Sequence, residues 1–363
     1  MFCFKDKLEY ENKKSIFILF ALMSKVQKLE LDSDLEKDKT EPAALTERQL
    51  TDLSRFGKIA VKMYQDVSWS FSTNSAARSL GVSSEDLLIE HFTDDGDGGH
   101  CPKFLLFLDH QTSSLVLAIR GTFSVKDAIL DAVAEDVPFL NGMTHKGILS
   151  GARLILSKVS ERLTEVLGQP EFSNYSLVVT GHSLGAGTAE LITLELLTSN
   201  LLGGREVRCV ALAPPPVFRS EHSLPAKISS AIQIYVNKND LVPRLSLASV
   251  AKLLATVTEV DSLGLSLAEQ LAVLRDRDTS EVRRNLRTLR EIIRTDGQSS
   301  PDFPEHPGTV YHIRRSKTDE KKHLVFRSKS KAFSRKIVLT ENMITDHCSV
   351  GYAEAILSLS DQC

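Results

Sequence analysis

The chain of 363 residues is long enough to bury a large hydrophobic core, in one large domain or two smaller ones. Hydrophobic residues make up 42% and charged residues 25%, which is typical of globular proteins, and the formal net charge of −3 argues against bulk attraction to nucleic acid. The five cysteines are scattered, odd in number and without the paired spacing of metal ligands. This pattern predicts a reducing, cytoplasmic environment, although it leaves room for one disulfide.

Residues 1–44 are predicted to form a helix and a linker ahead of a domain that spans 45–363. The strongly apolar run Ile16–Met23 is too short to cross a bilayer, which takes roughly 20 apolar residues. A secretory signal is disfavoured because acidic residues such as Asp6 and Glu9 precede this run and no A-x-A cleavage site follows it. We expect a helix that docks on the domain or on a membrane face.

A second helix is predicted from the capping-box pattern at Thr46 to about Met63, where apolar residues recur at helical spacing. The polar, glycine-rich stretch Thr93–Cys101 favours an ordinary hairpin turn. A calcium loop would need the spacing and distal glutamate of an EF-hand, and a histidine–cysteine site would need a fourth ligand. Neither a metal nor another cofactor is therefore predicted.

Strands and helices then alternate along the chain. The predicted strands are Lys103–Leu108, Ser114–Ile119, Tyr175–Thr180, Val207–Leu212, Ala231–Val236, Thr309–Arg314 and His323–Arg327, with a last strand-like stretch at Lys336–Leu339. The predicted helices include one to about Ala134, Gly147–Leu167 and a final helix at about Asp346–Leu359. This alternation predicts an α/β fold with a mostly parallel sheet flanked by helices.

A helical insertion is predicted at 245–302, before the last strands. Its segment Ser280–Thr295 reads as a basic amphipathic helix with arginines beside an apolar face. A solvated helix that caps the domain is the favoured interpretation, and contact with an anionic lipid surface is the alternative.

The stretch Tyr175–Leu197 carries the strongest functional signal. It begins as a buried apolar strand, breaks at Gly181-His-Ser-Leu-Gly185, and continues as a helix with small residues in its first turns. A strand, G-x-S-x-G and a helix in this order form a nucleophile elbow, whose turn is too sharp for side chains at the flanking glycines. Ser183 is therefore a predicted nucleophile, and the alternative is a glycine-bounded turn that happens to contain serine.

A serine nucleophile needs a histidine base and a carboxylate that fixes the tautomer of that base. In α/β-hydrolases the acid and then the histidine follow the serine along the chain. Asp240 comes directly after the strand Ala231–Val236, and His347 lies in the loop before the last helix, where this fold delivers its base. We therefore predict a triad of Ser183, Asp240 and His347.

Other downstream residues fit these roles less well. His222 precedes any plausible acid, His306 lies in a proline-rich loop, and the remaining two histidines, His312 and His323, fall inside strand patterns. The weaker candidates for the acid are Asp261, Asp302 and Asp346, the last of which is expected to cap a helix.

The oxyanion of the tetrahedral intermediate is expected to bind the backbone amide of Leu184 and an amide from an earlier strand-to-helix loop. Thr122 is the predicted second donor, because it closes the strand ending at Ile119 and its hydroxyl could add to its amide. His182 is expected to be a structural hydrogen-bonding residue.

Several of these segments together resemble the fungal-type (class 3) lipase family. They are, in chain order, Ile119–Thr122, Thr144–Gly147, Gly181–Gly185, Asn239–Arg244 and Asp346-His347. Within that family, Arg120–Asp131 and Asp240–Arg244 are most similar to the catalytic domain of sn-1-specific diacylglycerol lipases.

The resemblance implies an α/β-hydrolase fold, hydrolysis of acylglycerol esters and a mobile lid at about Phe123–Leu140. The insertion would match the regulatory loop of the diacylglycerol lipases, while Ala213–Pro216 stands where Pro-Pro-Gly would be expected. The expected partner is a lipid ester substrate. The protein is expected to be cytoplasmic and to contact the surface of a membrane or lipid droplet peripherally. The alternatives are a phospholipase A1 or carboxylesterase, and a catalytically silent α/β-hydrolase scaffold.

Overall fold

The computed structural model describes residues 13–37, 41–65, 73–92, 101–121, 135–220, 222, 224–295, 304–319 and 321–361. Several predictions lie outside the described residues: most of the Thr93–Cys101 turn, the oxyanion donor Thr122, the helix to Ala134 and the acid candidate Asp302.

The centre of the fold is a sheet to which eight of the described strands contribute, in the order β1-β2-β3-β6-β7-β9-β10-β11. The strands are β1 Leu87–His91, β2 Phe104–Asp109, β3 Ser114–Ile119, β6 Ser176–His182, β7 Val207–Leu212, β9 Ile232–Asn237, β10 Thr309–Arg315 and β11 His323–Ser328. The inner strands β3, β6, β7, β9 and β10 pair in parallel, and the outer strands pair antiparallel. The register places Gly181 beside Ile119 and His182 beside Leu212, so the end of β6 is central in the sheet.

Helices cover both faces of this sheet. The helices are α1 Lys13–Lys37, α2 Glu47–Asp52, α3 Lys58–Gln65, α4 Thr73–Leu80, α5 Lys146–Gly168, α6 Leu184–Ser199, α7 Ala226–Ala231, α8 Leu247–Ser262, α9 Leu267–Leu274, α10 Ser280–Thr295, α11 Ser330–Ser334 and α12 Ser349–Ser360. Apolar residues of α5 and α6 pack on one face with Val179, and those of α3 and α12 pack on the other with Val178. Successive strand residues point to opposite faces, and because both faces are covered, β6 is buried throughout its length.

A smaller sheet lies beside the start of α5. It contains the described strands β4 Asp136–Phe139, β5 Gly142–His145 and β8 Phe218–Ser220, in the order β4-β5-β8. Because β5 leads directly into α5 and β8 follows the loop after β7, this sheet lies near the carboxyl edge of the central sheet.

The insertion forms helices α8, α9 and α10, and α1 packs against them. Leu22 and Val26 of α1 share a buried apolar cluster with Val257 of α8 and Leu289 of α10. The apolar face of α10 thus points into the protein, as expected of a capping helix, and Arg283 and other arginines remain exposed. Of the two expectations for the N-terminal helix, docking on the protein is the one that the structure shows. In the described part of the chain, no helix combines the length and apolar character needed to cross a membrane.

Two boundaries differ from the sequence prediction. Lys336–Leu339 is an extended segment but belongs to neither of the two described sheets. The carbonyl of Ile337 and the amide of Leu339 form hydrogen bonds with Gln27 of α1 instead of with a neighbouring strand. The last helix begins at Ser349, and Asp346 lies in a short 3₁₀ turn, Thr345–His347, rather than at the helix N-cap, which is Cys348.

One buried acid stands apart from the rest of the core. Glu190 of α6 is fully buried, and neither of its carboxyl oxygens has a hydrogen-bond partner among the described residues. Burial raises the pKa of this carboxyl well above its usual range, because the charged form loses its hydration. Burial therefore favours the neutral form of Glu190 in the folded protein more strongly than water does.

Candidate active site

Ser183 occupies the turn between β6 and α6 with an unusual backbone conformation. Its φ of 59° and ψ of −130° lie in a region that residues other than glycine rarely adopt. The amide of Ser183 donates to the carbonyl of Leu212 (2.9 Å), which anchors the turn to the end of β7. Strained backbone of this kind is concentrated at functional sites, and here it turns the serine away from the strand.

The glycines on either side allow this turn to close. A Cβ atom on Gly181 would lie 2.5 Å from the backbone of Gly185. A Cβ atom on Gly185 would lie 2.5 Å from the carbonyl oxygen of Ile119, so the first turn of α6 rests directly on the end of β3. Both contacts are with backbone atoms that cannot move aside, which gives the physical reason for the two glycines in the motif.

The three predicted triad residues form one hydrogen-bonded series. Nε2 of His347 lies 2.9 Å from Oγ of Ser183, and Nδ1 of His347 lies 3.0 Å from both carboxylate oxygens of Asp240. A carboxylate only accepts hydrogen bonds, so Nδ1 carries the imidazole proton and Nε2 accepts from the serine hydroxyl. All three side chains are buried. A hydrogen-bonded series of this kind can supply a nucleophile, a base and an orienting acid.

Asp240 is held by further donors that sequence reasoning missed. The hydroxyl of Tyr352 donates to Oδ2 of Asp240 (2.7 Å) and accepts from the amide of Asn237 (2.9 Å). The amide of Val242 donates to Oδ1 of Asp240 (2.9 Å). These bonds fix the carboxylate in the orientation that receives His347.

His182 contacts His347 from the other side. It donates from Nε2 to the carbonyl oxygen of His347 (3.0 Å), and the two rings stack with centroids 4.8 Å apart. Burial, together with the electrostatic effect of the adjacent His347 ring, lowers the pKa of His182 well below its usual range. A neutral His182 bonded to backbone acts as the structural residue that the sequence predicted.

One of the two predicted oxyanion donors can be located. Leu184 is the first residue of α6, so its amide belongs to the helix N-terminus, where partial positive charge accumulates. The backbone of Arg120 and Gly121, which precedes Thr122, lies against the same turn near Gly185.

The competing histidines are occupied elsewhere. His306 bonds the carbonyl of Pro243 (3.0 Å) and His312 bonds that of Lys238 (2.6 Å). Burial lowers the pKa of His306 to about 4 and that of His312 to about 3, so both are neutral. His323 lies in β11, as its strand pattern predicted. Among the rejected acids, Asp346 accepts from the amide of Asn239 (3.2 Å) and so braces the loop beside the site.

A cavity of about 400 Å³ lies beside α6, between the smaller sheet and α8. Its apolar lining includes Ile148, Pro215, Val217, Leu245, Leu247 and Ala248. A Cβ on Gly187, one turn after the serine, would lie 2.8 Å from Val217, so the cavity wall backs directly on the start of α6. Its volume is within the range of small-molecule sites.

A mostly parallel sheet flanked by helices, with a serine at the sharp turn between a central strand and the next helix, defines the α/β-hydrolase fold. The fold class predicted from the sequence is confirmed. Residues 116–250 match the sequence model of the family described as Lipase (class 3). Over these residues the chain is similar to this family, as the resemblance of its motifs predicted, and it is also similar to curated diacylglycerol lipases.

Two curated relatives illustrate this kinship. Human diacylglycerol lipase-alpha is 31% identical over 170 residues, which cover 44% of this chain and 16% of the relative. Secreted mono- and diacylglycerol lipase A from Penicillium cyclopium is 32% identical over 146 residues, which cover 39% of this chain and 46% of the relative. The match thus spans less than half the length of each of these two relatives.

Solved structures share the fold over most of the chain. A lipase from Rhizopus microsporus var. chinensis gives a TM-score of 0.51 at 15% identity, covering 89% of this chain and 90% of that chain. A triacylglycerol lipase whose catalytic centre is described as a serine protease triad gives a TM-score of 0.53 at 16% identity, covering 85% and 96%. At these identities the likeness concerns the fold alone.

Proposed function

We propose that the protein is a serine lipase that hydrolyses carboxylic ester bonds of acylglycerols through Ser183, His347 and Asp240. The observation that carries this proposal is the hydrogen-bonded series from Asp240 through His347 to Ser183. The match of residues 116–250 to the class 3 lipase family model and the similarity to curated diacylglycerol lipases support the choice of acylglycerol as substrate.

In the proposed mechanism, Nε2 of His347 takes the hydroxyl proton as Oγ of Ser183 attacks the ester carbonyl carbon. Asp240 stabilises the resulting imidazolium, and the amides of Leu184 and Thr122 stabilise the oxyanion. The proton then passes from His347 to the departing alcohol oxygen, which leaves an acyl group on Ser183. A water molecule then attacks the acyl carbon as His347 takes its proton. The bond between that carbon and Oγ of Ser183 breaks, the proton passes from His347 to Oγ, and the fatty acid is released.

The cavity beside α6 is the proposed site of an acyl chain. Its polar lining groups are already bonded within the protein: Thr144 donates to the carbonyl of Val217 (2.6 Å), and the hydroxyl of Ser246 accepts from the amide of Ser249 (3.1 Å). Arg219 pairs with Asp136 at the rim (3.6 Å). The wall thus offers an incoming group mainly apolar surface, which suits an alkyl chain better than a polar substrate.

Contact with a lipid surface and a cytoplasmic location are further parts of this proposal. The free cysteines, which include the exposed Cys348, suit a reducing compartment. The exposed arginines of α10 could meet anionic headgroups, although Arg283 and Arg284 also pair with nearby carboxylates. Co-sedimentation with anionic and zwitterionic vesicles tests this contact. A protein that pellets with neither kind of vesicle would contradict it.

A substrate panel tests the proposed activity. Wild type and Ser183→Ala are compared on diacylglycerol vesicles, phospholipid vesicles and soluble acetyl esters, with lipid surface and detergent varied. We expect the fastest Ser183-dependent hydrolysis on diacylglycerol. Preference for phospholipid would favour a phospholipase A1, preference for the acetyl ester a carboxylesterase, and no hydrolysis by a folded wild type a silent scaffold.

A further inference from the structure

Side chains of the helix α1 form hydrogen bonds with the backbone of the extended segment Lys336–Leu339. Gln27 is buried, its Nε2 donates to the carbonyl of Ile337 (3.3 Å), and its Oε1 accepts from the amide of Leu339 (2.7 Å). One partner is an acceptor and the other a donor, so they fix the orientation of the amide. Ser24, one turn earlier, donates to the carbonyl of Leu339 (2.9 Å). The segment is thus held at two residues by a helix more than 300 positions away.

The segment that α1 holds leads into both catalytic loops. Beyond Leu339, the carbonyl of Met343 accepts from the amide of Leu241, the residue after Asp240 (3.1 Å). The carbonyl of Asn342 accepts from the amide of Asp346, the residue before His347 (2.7 Å). Residues 337–343 therefore lie between α1 on one side and the loop of Asp240 on the other, and they set the start of the turn that carries His347.

Apolar packing reinforces these hydrogen bonds. Leu22 and Val26 of α1 share one buried cluster with Leu339 and with Leu241 and Val242, which directly follow Asp240. A shift of α1 would therefore be transmitted to the Asp240 loop by contact as well as through the segment 337–343.

The same helix is tied to the insertion by charged groups. Lys25 donates to the carbonyl of Leu274 at the end of α9 (2.9 Å) and pairs with Asp276 (2.5 Å), and Arg290 of α10 pairs with Glu30 of α1 (3.1 Å). The helix thus bridges the insertion and the segment that precedes His347.

We propose that Gln27 is a positioning residue for the proposed triad, which it supports by clasping Ile337 and Leu339 and so holding the His347 turn against the Asp240 loop. This inference rests on the proposed function for its kinetic consequences, but the contact it describes between His347 and Asp240 can be observed without turnover. A misplacement of a catalytic group by 1 Å can lower a rate by about 100-fold, so partial release of this turn is sufficient to alter catalysis.

The test compares Gln27→Leu, which removes both hydrogen bonds while keeping a side chain of similar size, with Lys28→Leu, an exposed neighbour on the same helix. Two quantities are measured on full-length protein: kcat and KM for a soluble butyrate ester, per active site titrated with a phosphonate, and the low-field proton NMR signal of His347 Nδ1–H. Ser24→Ala, which removes a single bond, is the milder variant to be used if Gln27→Leu does not fold.

We expect Gln27→Leu to lower kcat about tenfold with KM within about twofold, and to shift or broaden the His347 signal. Ser24→Ala should change both in the same direction by a smaller amount, and Lys28→Leu should match wild type. A merely structural role would lower the melting temperature and leave kcat per titrated site and the NMR signal unchanged, which would overturn the proposal. A wild type that hydrolyses no ester would defeat the proposed function, while a His347 signal that still responds to Gln27→Leu would uphold the positioning contact.

Discussion

The replacement Tyr352→Phe removes a single hydroxyl that bridges two parts of the site. That hydroxyl donates to the carboxylate of Asp240 (2.7 Å) and accepts from the amide of Asn237 (2.9 Å), all within buried surroundings. A hydrogen bond to a charged group contributes about 1.5–3 kcal/mol, and a buried amide left unpaired costs about 1–3 kcal/mol. Because such contributions are not additive, we expect the free energy of unfolding to fall by about 3 kcal/mol.

The same change should also slow catalysis, since the carboxylate that orients His347 loses one of its donors. We expect kcat on a soluble ester to fall about tenfold with little change in KM. Tyr235→Phe is the matched control, because the fully buried Tyr235 donates to Gln233 (2.8 Å) away from the triad. That control should lose about 1 kcal/mol of stability and keep its kcat.

Urea denaturation measures the stability loss of the two variants, and steady-state kinetics measures their kcat and KM. A role of Tyr352 in holding Asp240 would be refuted if Tyr352→Phe matched the Tyr235→Phe control in both its stability loss and its kcat. It would also be refuted if Tyr352→Phe lost stability but turned over at the wild-type rate per titrated site.

Two further predictions concern the helix that follows Ser183 and the cavity beside this helix. Burial raises the pKa of the Glu190 carboxyl in the folded protein, so as the pH rises the unfolded chain loses the carboxyl proton before the folded protein does. The free energy of unfolding therefore falls by about 1.4 kcal/mol per pH unit, from about pH 4.3 up to the folded-state pKa. Glu190→Gln should therefore match wild type near pH 4 and exceed it in urea denaturation at pH 7, and identical pH slopes would contradict this. Ala248→Trp fills the cavity and should slow dodecanoyl esters at least about tenfold while sparing acetyl esters, whereas Ala255→Trp, farther along α8 and outside the lining, should keep the wild-type profile. Equal chain-length profiles in both variants would show that the cavity does not take the chain.

The local signals in the sequence were sufficient to predict the fold and the positions that meet in the site. The G-x-S-x-G pattern predicts its own strand and helix because its glycines are needed for the backbone contacts made by Gly181 and Gly185. Asp240 and His347 follow from chain order and strand ends, and the structure brings them together with Ser183. Their catalytic roles, and the oxyanion roles of Leu184 and Thr122, stay predictions.

The supporting residues could not be predicted, because their partners lie far away in the sequence. Tyr352 sits on a helix whose pattern is simply apolar, and its bond to Asp240 spans 112 positions. Gln27 resembles a solvated residue on a charged helix, yet it is buried against Ile337 and Leu339. The same long-range contact explains the wrong strand prediction at Lys336–Leu339: an apolar, extended pattern indicates the backbone shape but not which partner takes its hydrogen bonds.

The central claim is that Ser183 is a nucleophile activated by His347, and covalent labelling tests it most directly. Folded wild-type protein is treated with an alkyl fluorophosphonate, and the adduct is located by peptide mass spectrometry. We predict one phosphonyl group per chain on the peptide that contains Ser183, and no adduct on Ser183→Ala. An unlabelled wild type, or equal labelling of the alanine variant, would contradict the claim.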